Sequence, residues 1–364
     1  MALRLALLKY ADAIVGRAIS LVLPSRKPGP EPVNDLRRIL VIRPGGIGDA
    51  ALLVPALISL REHYPHASVH ILAEKRNSAV FELTEGIERV YCYDRGRELL
   101  QVVRNSYDLV IDTEQWHRLS AIIARLTRAP LAIGFDTNDR RKHFTHPVPY
   151  SHDWYEIDSF LRLLHPLLGP VIWDRKVPFL TVPQRIRSRT SEVLEPLAPG
   201  SAVALFPGSS IRERQWGASK FRDTARLLSD RGYAIVVVGG EQDRETGEAV
   251  TDGVPRSLNL CGRLSLPETA AVLSSCSLLI TGDSGILHVG YGLGMRLIAL
   301  FGPGREEKWA PHGPDVAVIN RHLPCGPCTT FGYTPRCSKN ARCLKEITPE
   351  EVVEASLRLF EPRG

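Results

Sequence analysis

Short β-rich runs alternate with helical runs twice along this chain, and the doubled alternation constrains the fold more than any other feature. The predicted strands of the first series lie at 39–42, 69–73, 89–93, 109–112 and 131–134. Those of the second series lie at 202–206, 234–238, 257–260, 278–281 and 297–301. Strands separated by helices form βαβ units and parallel sheets. The sequence therefore predicts an α/β protein with two doubly wound sheets.

The length of the chain agrees with this doubled pattern. A chain of 364 residues corresponds to about two domains of ordinary size. We expect an N-terminal helix and proline-rich linker at 1–35, a first domain at 36–187, a second domain at 188–345 and a C-terminal helix at 346–364. Ligands bind at the carboxyl ends of strands in open α/β sheets, so we expect two such edges to face each other across a cleft.

The N-terminal segment, residues 1–23, has the apolar period of an amphipathic helix. Its apolar side comprises Leu3, Leu7, Tyr10, Ile14, Ala18 and Leu21, and the opposite side carries Lys9, Asp12 and Ser20. One interpretation, slightly favoured, is that this helix packs on the protein's own surface. The other is that it lies in a membrane interface with its basic residues near the headgroups.

The charge balance narrows the choice of partners. Lys and Arg number 46 against 40 Asp and Glu, and 37 of the 46 are Arg, which suits bidentate binding of phosphate or carboxylate. No basic strip interleaved with aromatic residues is present, so nucleic acid is not expected as a partner.

The chain has neither an apolar run long enough to span a bilayer nor a secretory cleavage pattern, which predicts a cytoplasmic location.

A glycine-rich turn follows the first predicted strand and opens a helix. It contains Arg43, Gly46, Gly48 and Asp49. The turn matches a degenerate dinucleotide-binding pattern, but Asp49 would then repel the pyrophosphate by about 1 to 4 kcal/mol. That repulsion disfavours an NAD-dependent oxidoreductase. A general base and a helix-capping carboxylate remain as equal alternatives for Asp49.

Turns that suit phosphate also follow successive strands of the second series. Their candidate ligand-binding residues are Ser209, Ser210, Arg214, Glu241, Asp283, Ser284, Gly285 and His288. Hydroxyl groups, backbone N–H groups at helix starts and a guanidinium bind diphosphate, and acids bind ribose hydroxyls. Each turn alone also suits a solvated loop or a helix N-terminus, but their agreement indicates a nucleotide or nucleotide-sugar site.

Four cysteines cluster at 325–343, after the last predicted strand. They are Cys325, Cys328, Cys337 and Cys343. Their spacing is compatible with a four-thiolate structural zinc site, with a local disulfide and with free thiols. A redox motif is disfavoured, because the Cys-Gly-Pro-Cys pair lies in a proline-rich loop.

Several short motifs of this chain, in their order and spacing, resemble glycosyltransferase family 9, the ADP-heptose:lipopolysaccharide heptosyltransferases. The motifs that carry the resemblance are Ile39-Leu40-Val41-Ile42-Arg43, Gly48-Asp49, Pro55-Ala56-Leu57, Pro207-Gly208-Ser209-Ser210, Arg214-Gln215-Trp216, Asp283-Ser284-Gly285, His288, Phe301-Gly302-Pro303, and Cys325 with Cys328. They span about 37–357. The resemblance implies the GT-B fold of two Rossmann-like domains, inversion at the anomeric carbon and no cofactor required for catalysis.

The resemblance also implies roles for the matching residues. Asp49 corresponds to the general base that deprotonates the acceptor hydroxyl. Ser209 and Ser210 correspond to contacts with the diphosphate, Glu241 to the ribose ligand, and Asp283 to the residue that holds the donor sugar. The positions of Ser284, Gly285 and His288 lie near the phosphates. Arg214 replaces the family's frequent lysine, which keeps the cation and changes its geometry.

The sequence thus predicts an inverting glycosyltransferase. The expected donor is a nucleotide sugar, ADP-heptose in particular, and the expected acceptor is the lipopolysaccharide core of a Gram-negative cell envelope or another lipid-linked saccharide. We expect the enzyme to lie in the cytoplasm, peripheral to the inner leaflet. The alternatives are an epimerase or hydrolase of the same architecture and a non-catalytic nucleotide-binding assembly subunit.

Overall fold

The computed structural model describes residues 12–31, 35–190, 193, 202–330 and 333–361. Two compact units divide the chain, Met1–Asp174 and Arg175–Gly364. The division precedes the predicted boundary at 187/188, because the helix Gln184–Thr190 packs on the helix Leu266–Ser274 of the second unit. The backbone N–H groups of Phe179 and Leu180 also donate to the Gly292 carbonyl of that unit, both at 2.8 Å.

The first unit is built on a six-stranded parallel sheet in the order β3-β2-β1-β4-β5-β6. Its strands are β1 Arg38–Arg43, β2 Ser68–Ala73, β3 Arg89–Cys92, β4 Leu109–Asp112, β5 Leu131–Phe135 and β6 His146–Val148. Its α-helices are Arg17–Val22, Ile47–His63, Gly96–Arg104, Arg118–Leu126, Glu156–Arg162 and His165–Leu168. A π-helical turn, Asp12–Gly16, and the 3-10 turns Ser78–Leu83 and Arg141–His143 complete the unit.

The second unit repeats this design, with the strand order β12-β11-β10-β7-β8-β9 and parallel pairing throughout. Its strands are β7 Ala202–Phe206, β8 Ala234–Val237, β9 Ser257–Asn259, β10 Leu278–Gly282, β11 Leu297–Leu300 and β12 Val316–Ile319. Its α-helices are Gln184–Thr190, Ala218–Ser229, Arg244–Thr251, Leu266–Ser274, Gly285–Gly292, Glu306–Trp309, Arg342–Lys345 and Pro349–Phe360. The 3-10 turns are Arg212–Arg214 and Glu241–Asp243.

The predicted α/β class with two doubly wound sheets is confirmed. The central strands β1, β7 and β10 are continuous apolar runs, as expected for parallel strands covered by helices on both faces. Two edge strands were not predicted. β6 contains Pro147, which is typical of an edge strand and interrupts a strand pattern. β12 is a half-buried edge strand that was missed although all four of its residues, Val316–Ile319, are apolar.

The described part of the N-terminal segment reverses the expected packing. Its predicted apolar positions 3, 7 and 10 lie outside the described residues. Asp12 and Ser20, predicted to face solvent, are 4% and 2% exposed, whereas Ile14 and Leu21 are 52% and 74% exposed. The cause is polar: Asp12 Oδ1 accepts a 2.8 Å hydrogen bond from the Leu119 backbone, and Ser20 Oγ lies 2.8 Å from His143 Nε2.

Each sheet has one position where the direction of strand succession reverses. In the first unit it lies between β1 and β4, and in the second between β7 and β10. Ligands in doubly wound folds bind at the carboxyl ends of the strands beside such a switch point. None of the helices in the described ranges is long and apolar enough to cross a membrane.

Candidate active site

The first switch point carries the turn with Asp49. Gly45 takes a φ of +104°, which favours glycine, and the extended Gly46 begins the helix Ile47–His63. A Cβ added at Gly46 would lie 3.6 Å from Asp49 Oδ2, so the carboxylate lies over the turn. Gly46 is the N-cap, and no side chain caps this helix. Within the described ranges the Asp49 carboxylate forms no hydrogen bond or ion pair, which disfavours a purely capping role.

Arg43 ends β1 and lies beneath the turn, 1% exposed. Its Nε donates to the Pro44 carbonyl at 2.6 Å and its Nη1 to the Thr113 carbonyl at 3.0 Å. Its Nη2 lies 3.6 Å from a carboxylate oxygen of Glu114. The guanidinium therefore ties the turn after β1 to the loop after β4 and holds the backbone that carries Asp49.

Two further residues at this edge, Glu114 and Tyr150, were not singled out from the sequence alone. Burial opposes the charge of Glu114, but Arg43 and other nearby cations hold the pKa of that carboxyl below its usual value. Tyr150 donates to Glu156 at 3.4 Å, and burial together with the charges of Glu156 and Asp49 raises the pKa of Tyr150. The Tyr150 hydroxyl is thus a neutral polar group in the electrostatic field of Asp49.

The second switch point holds a buried ion pair. Arg214 Nη1 lies 2.8 Å from Asp283 Oδ2, and their side chains are 13% and 5% exposed. Trp216 anchors the loop of Arg214, because its indole N–H donates to the Ile347 carbonyl at 3.1 Å. A Cβ at Gly304 would lie 2.2 Å from Asp283 Oδ2, so only glycine lets the turn after β11 approach this carboxylate.

His288 lies behind this pair on the helix Gly285–Gly292 and is 4% exposed. Its Nδ1 has no hydrogen-bond partner among the described residues. Burial lowers the pKa of His288 to about 4; the charge of Arg214 adds to this effect and that of Asp283 opposes it. His288 is therefore a neutral imidazole at neutral pH.

This lowered pKa predicts an acid-sensitive stability. An unfolded histidine takes up its proton below pH about 6.5, whereas folded His288 resists protonation down to about pH 4. The folded state therefore loses stability as the pH decreases from about 6.5 to about 4. The full contribution is about 3 kcal/mol. Denaturant unfolding at pH 7 and pH 5 should show a smaller loss in His288→Gln than in the wild type. Equal losses in both proteins would contradict this assignment.

The remaining candidates lie at the carboxyl ends of the same sheet. Ser284 caps its helix, because its Oγ accepts from the Leu287 backbone at 3.3 Å. The N–H groups of Gly285 and Ile286 in the same first turn remain suited to an anion. Ser209 Oγ accepts from the Ile211 backbone at 3.2 Å, and Ser210 is exposed. Glu241 is exposed after β8 and forms a 2.9 Å ion pair with Arg244.

Asp243 is a buried polar residue of this edge that the sequence did not indicate. Its Oδ2 accepts from the Gly240 backbone at 2.9 Å, and burial raises the pKa of its carboxyl. A Cβ at Gly208 would lie 2.4 Å from Asp243 Oδ1. Asp243 therefore packs the turn after β8 against the turn that leads to Ser209. The pair Gly239-Gly240, directly before Glu241, was the feature of the sequence that could have indicated this close approach.

The four clustered cysteines line one pocket of about 190 Å³ at the same edge, beside Gly302 and Gly304. All four are free thiols, and burial raises the pKa of Cys328 and Cys343. Within the described part of the chain, no group of three or more His, Cys, Asp or Glu is arranged to hold a metal ion. Of the three alternatives, the structure has free thiols, and structural zinc is not supported.

Comparisons with known proteins identify the family and the architecture of the chain. The model of glycosyltransferase family 9 (heptosyltransferase) matches residues 96–335. Lipopolysaccharide heptosyltransferase 3 of Escherichia coli is 27% identical over 288 residues, 72% of this chain and 83% of that protein. A family 9 glycosyltransferase from Veillonella parvula superposes with a TM-score of 0.77 at 22% identity, over 92% of this chain and 99% of that one.

A second solved structure, E. coli ADP-heptose lipopolysaccharide heptosyltransferase II, gives a TM-score of 0.73 at 22% identity, over 88% of this chain and 98% of that one. These likenesses establish the predicted GT-B architecture of two Rossmann-like units. The family model covers well over half of the chain. The protein therefore belongs to glycosyltransferase family 9, the heptosyltransferase family, and is a glycosyltransferase.

Proposed function

We propose that this enzyme transfers heptose, with inversion, from ADP-heptose to the lipopolysaccharide core or another lipid-linked saccharide at the inner leaflet of the cytoplasmic membrane. The observation that carries the proposal is the buried Arg214–Asp283 pair beside neutral His288 at the second switch point, in a chain of this family. The names of its E. coli relatives, which include ADP-heptose and lipopolysaccharide, support the choice of substrates.

The second unit is proposed to bind the donor. Asp283 has two carboxylate oxygens for sugar hydroxyls, and Arg214 supplies a guanidinium for the diphosphate. The helix that starts after Ser284 offers the backbone N–H groups of Gly285 and Ile286, which favour an anion. Negative charge grows on the departing diphosphate, so these fixed donors stabilise the transition state more than the ground state. Ser209, Ser210 and Glu241 are assigned to the diphosphate and the ribose.

The first unit is proposed to activate the acceptor. The Asp49 carboxylate takes the proton of the acceptor hydroxyl, and the hydroxyl oxygen bonds to the anomeric carbon. The electron pair of the broken carbon–oxygen bond leaves with the diphosphate of ADP. The absence of an ion-pair partner among the described residues leaves Asp49 suited to accept a proton. No step is assigned to a metal or other cofactor.

A donor screen tests the proposal. The wild-type enzyme is incubated with ADP-heptose, UDP-sugars or GDP-sugars, with and without extracted lipopolysaccharide acceptors, and the products are identified by mass spectrometry. We expect a heptose-extended acceptor with ADP-heptose alone among these donors. Transfer from a UDP- or GDP-sugar would contradict the proposed donor. An altered or hydrolysed donor formed without acceptor would indicate an epimerase or hydrolase instead.

A further inference from the structure

The described part of the N-terminal segment, residues 12–23, carries an apolar strip on the surface of the first unit. The strip comprises Ile14, Val15, Leu21 and Val22, whose exposed fractions are 52%, 48%, 74% and 84%. These four are among only ten large hydrophobic residues that are exposed in the described ranges. Their concentration within 14–22 marks a surface suited to an apolar partner.

The strip faces outward because the polar side of the segment is held by the fold. Asp12 Oδ2 lies 3.5 Å from His117 Nδ1, in addition to its bond from the Leu119 backbone. Ser20 is held by His143, and the Arg26 backbone N–H donates to the Lys142 carbonyl at 2.9 Å. These contacts fix the orientation of the segment, so the apolar strip is a built feature of the surface.

Basic residues flank the strip along the chain and in the stretch that it contacts. Residues 13–30 carry Arg17, Arg26 and Lys27 and no acidic residue. The neighbouring stretch 119–135 carries Arg125 and Arg128 and likewise no acid. Arg125 joins the two stretches, since its Nη1 donates to the Pro24 carbonyl at 2.7 Å. An apolar strip with the exposed cations Arg17 and Lys27 beside it matches the acyl boundary and the anionic headgroups of a lipid surface.

A second copy of the chain fits this surface less well. A two-fold dimer would place the same patch of both copies together. The basic residues around one strip would then face those around the other, and such like-charge contacts oppose association. An anionic bilayer has no such penalty.

We propose that the apolar strip of residues 14–22 inserts into an anionic lipid surface, with Arg17 and Lys27 at the headgroups. The proposal deepens the proposed function, because it names the surface by which the enzyme meets a membrane that holds its acceptor. It differs from the helix orientation expected from the sequence. The segment both packs on the fold by its polar side and presents its apolar side to lipid.

Co-sedimentation with vesicles tests this proposal. The full-length chain is mixed with vesicles of phosphatidylcholine alone or of phosphatidylcholine with phosphatidylglycerol. We expect binding to the mixed vesicles, weakened by high salt, and a loss of at least about tenfold in the double variant Leu21→Glu/Val22→Glu. Ile172→Glu is the matched control, because Ile172 is 90% exposed in the same unit but outside the strip. It should bind as the wild type does.

The outcomes separate this proposal from the proposed function. The double variant should keep its thermal midpoint and its transfer to a delipidated, soluble acceptor, because both substituted residues are exposed. No binding of the wild type to mixed vesicles, or equal binding of wild type and double variant, would overturn the membrane surface. A dimer of the wild type that dissociates in the double variant, without vesicle binding, would assign the strip to self-association. Failure of ADP-heptose transfer with normal vesicle binding would overturn the proposed function alone.

Discussion

Replacing Asp49 by asparagine is expected to lower kcat for sugar transfer by about 10³-fold, within the range of positioned general bases. Asparagine has nearly the same shape but accepts no proton. The donor affinity should change by less than about twofold, because the proposed donor ligands lie in the other unit. Steady-state transfer and titration with ADP separate the two effects.

Asp158→Asn is the matched control for this variant. Asp158 is also an acidic residue in the first turn of a helix of the first unit, Glu156–Arg162, and it is exposed. Its substitution should leave kcat unchanged within about twofold, as is usual for a surface change away from a site. An Asp49→Asn enzyme that keeps more than about a tenth of the wild-type rate would contradict the role of general base.

Replacing Arg214 by methionine is expected to lower kcat/KM by about 10²-fold, the cost of removing one charge-stabilising group from a transition state. The substitution also leaves Asp283 buried without its cation, which should lower the free energy of unfolding by about 3 kcal/mol. Arg214→Lys keeps the charge and should retain activity within about tenfold. Kinetics measured well below each variant's thermal midpoint separate catalysis from stability.

Arg212 provides the control for Arg214. It lies two residues earlier in the same 3-10 turn, Arg212–Arg214, and is exposed. Arg212→Met should therefore retain kcat/KM within about twofold. Equal losses in Arg212→Met and Arg214→Met would show that the loop tolerates no change and would remove the specific diphosphate role of Arg214.

The sequence predicted the central strands well because their burial on both faces requires continuous apolar runs, as in β1 and β10. It predicted the helical period of the N-terminal segment but not its orientation. The residues that bind Asp12 and Ser20 lie more than one hundred positions further along the chain. Periodicity reports which residues share a face, not which polar partners that face will meet.

The same limit applies to the candidate site. The sequence predicted Asp49, Arg214 and Asp283 because each lies in a turn after a strand, and the residue types of such turns can be recognised from the sequence. Glu114 was not predicted, because its contact with Arg43 joins the loop after β4 to the end of β1 and forms only in the folded chain. Tyr150 lies in a stretch without regular periodicity. Its relation to Asp49 follows only from the folded chain.

The anomeric configuration of the transferred sugar distinguishes single displacement by the acceptor from a two-step reaction. The enzyme is given ADP-heptose of known configuration and a saccharide acceptor, and the new linkage is assigned by NMR spectroscopy. Direct attack by a hydroxyl that Asp49 deprotonates predicts a product with the configuration opposite to that of the donor. A product that retains the donor's configuration would contradict single displacement and, with it, the proposed role of Asp49.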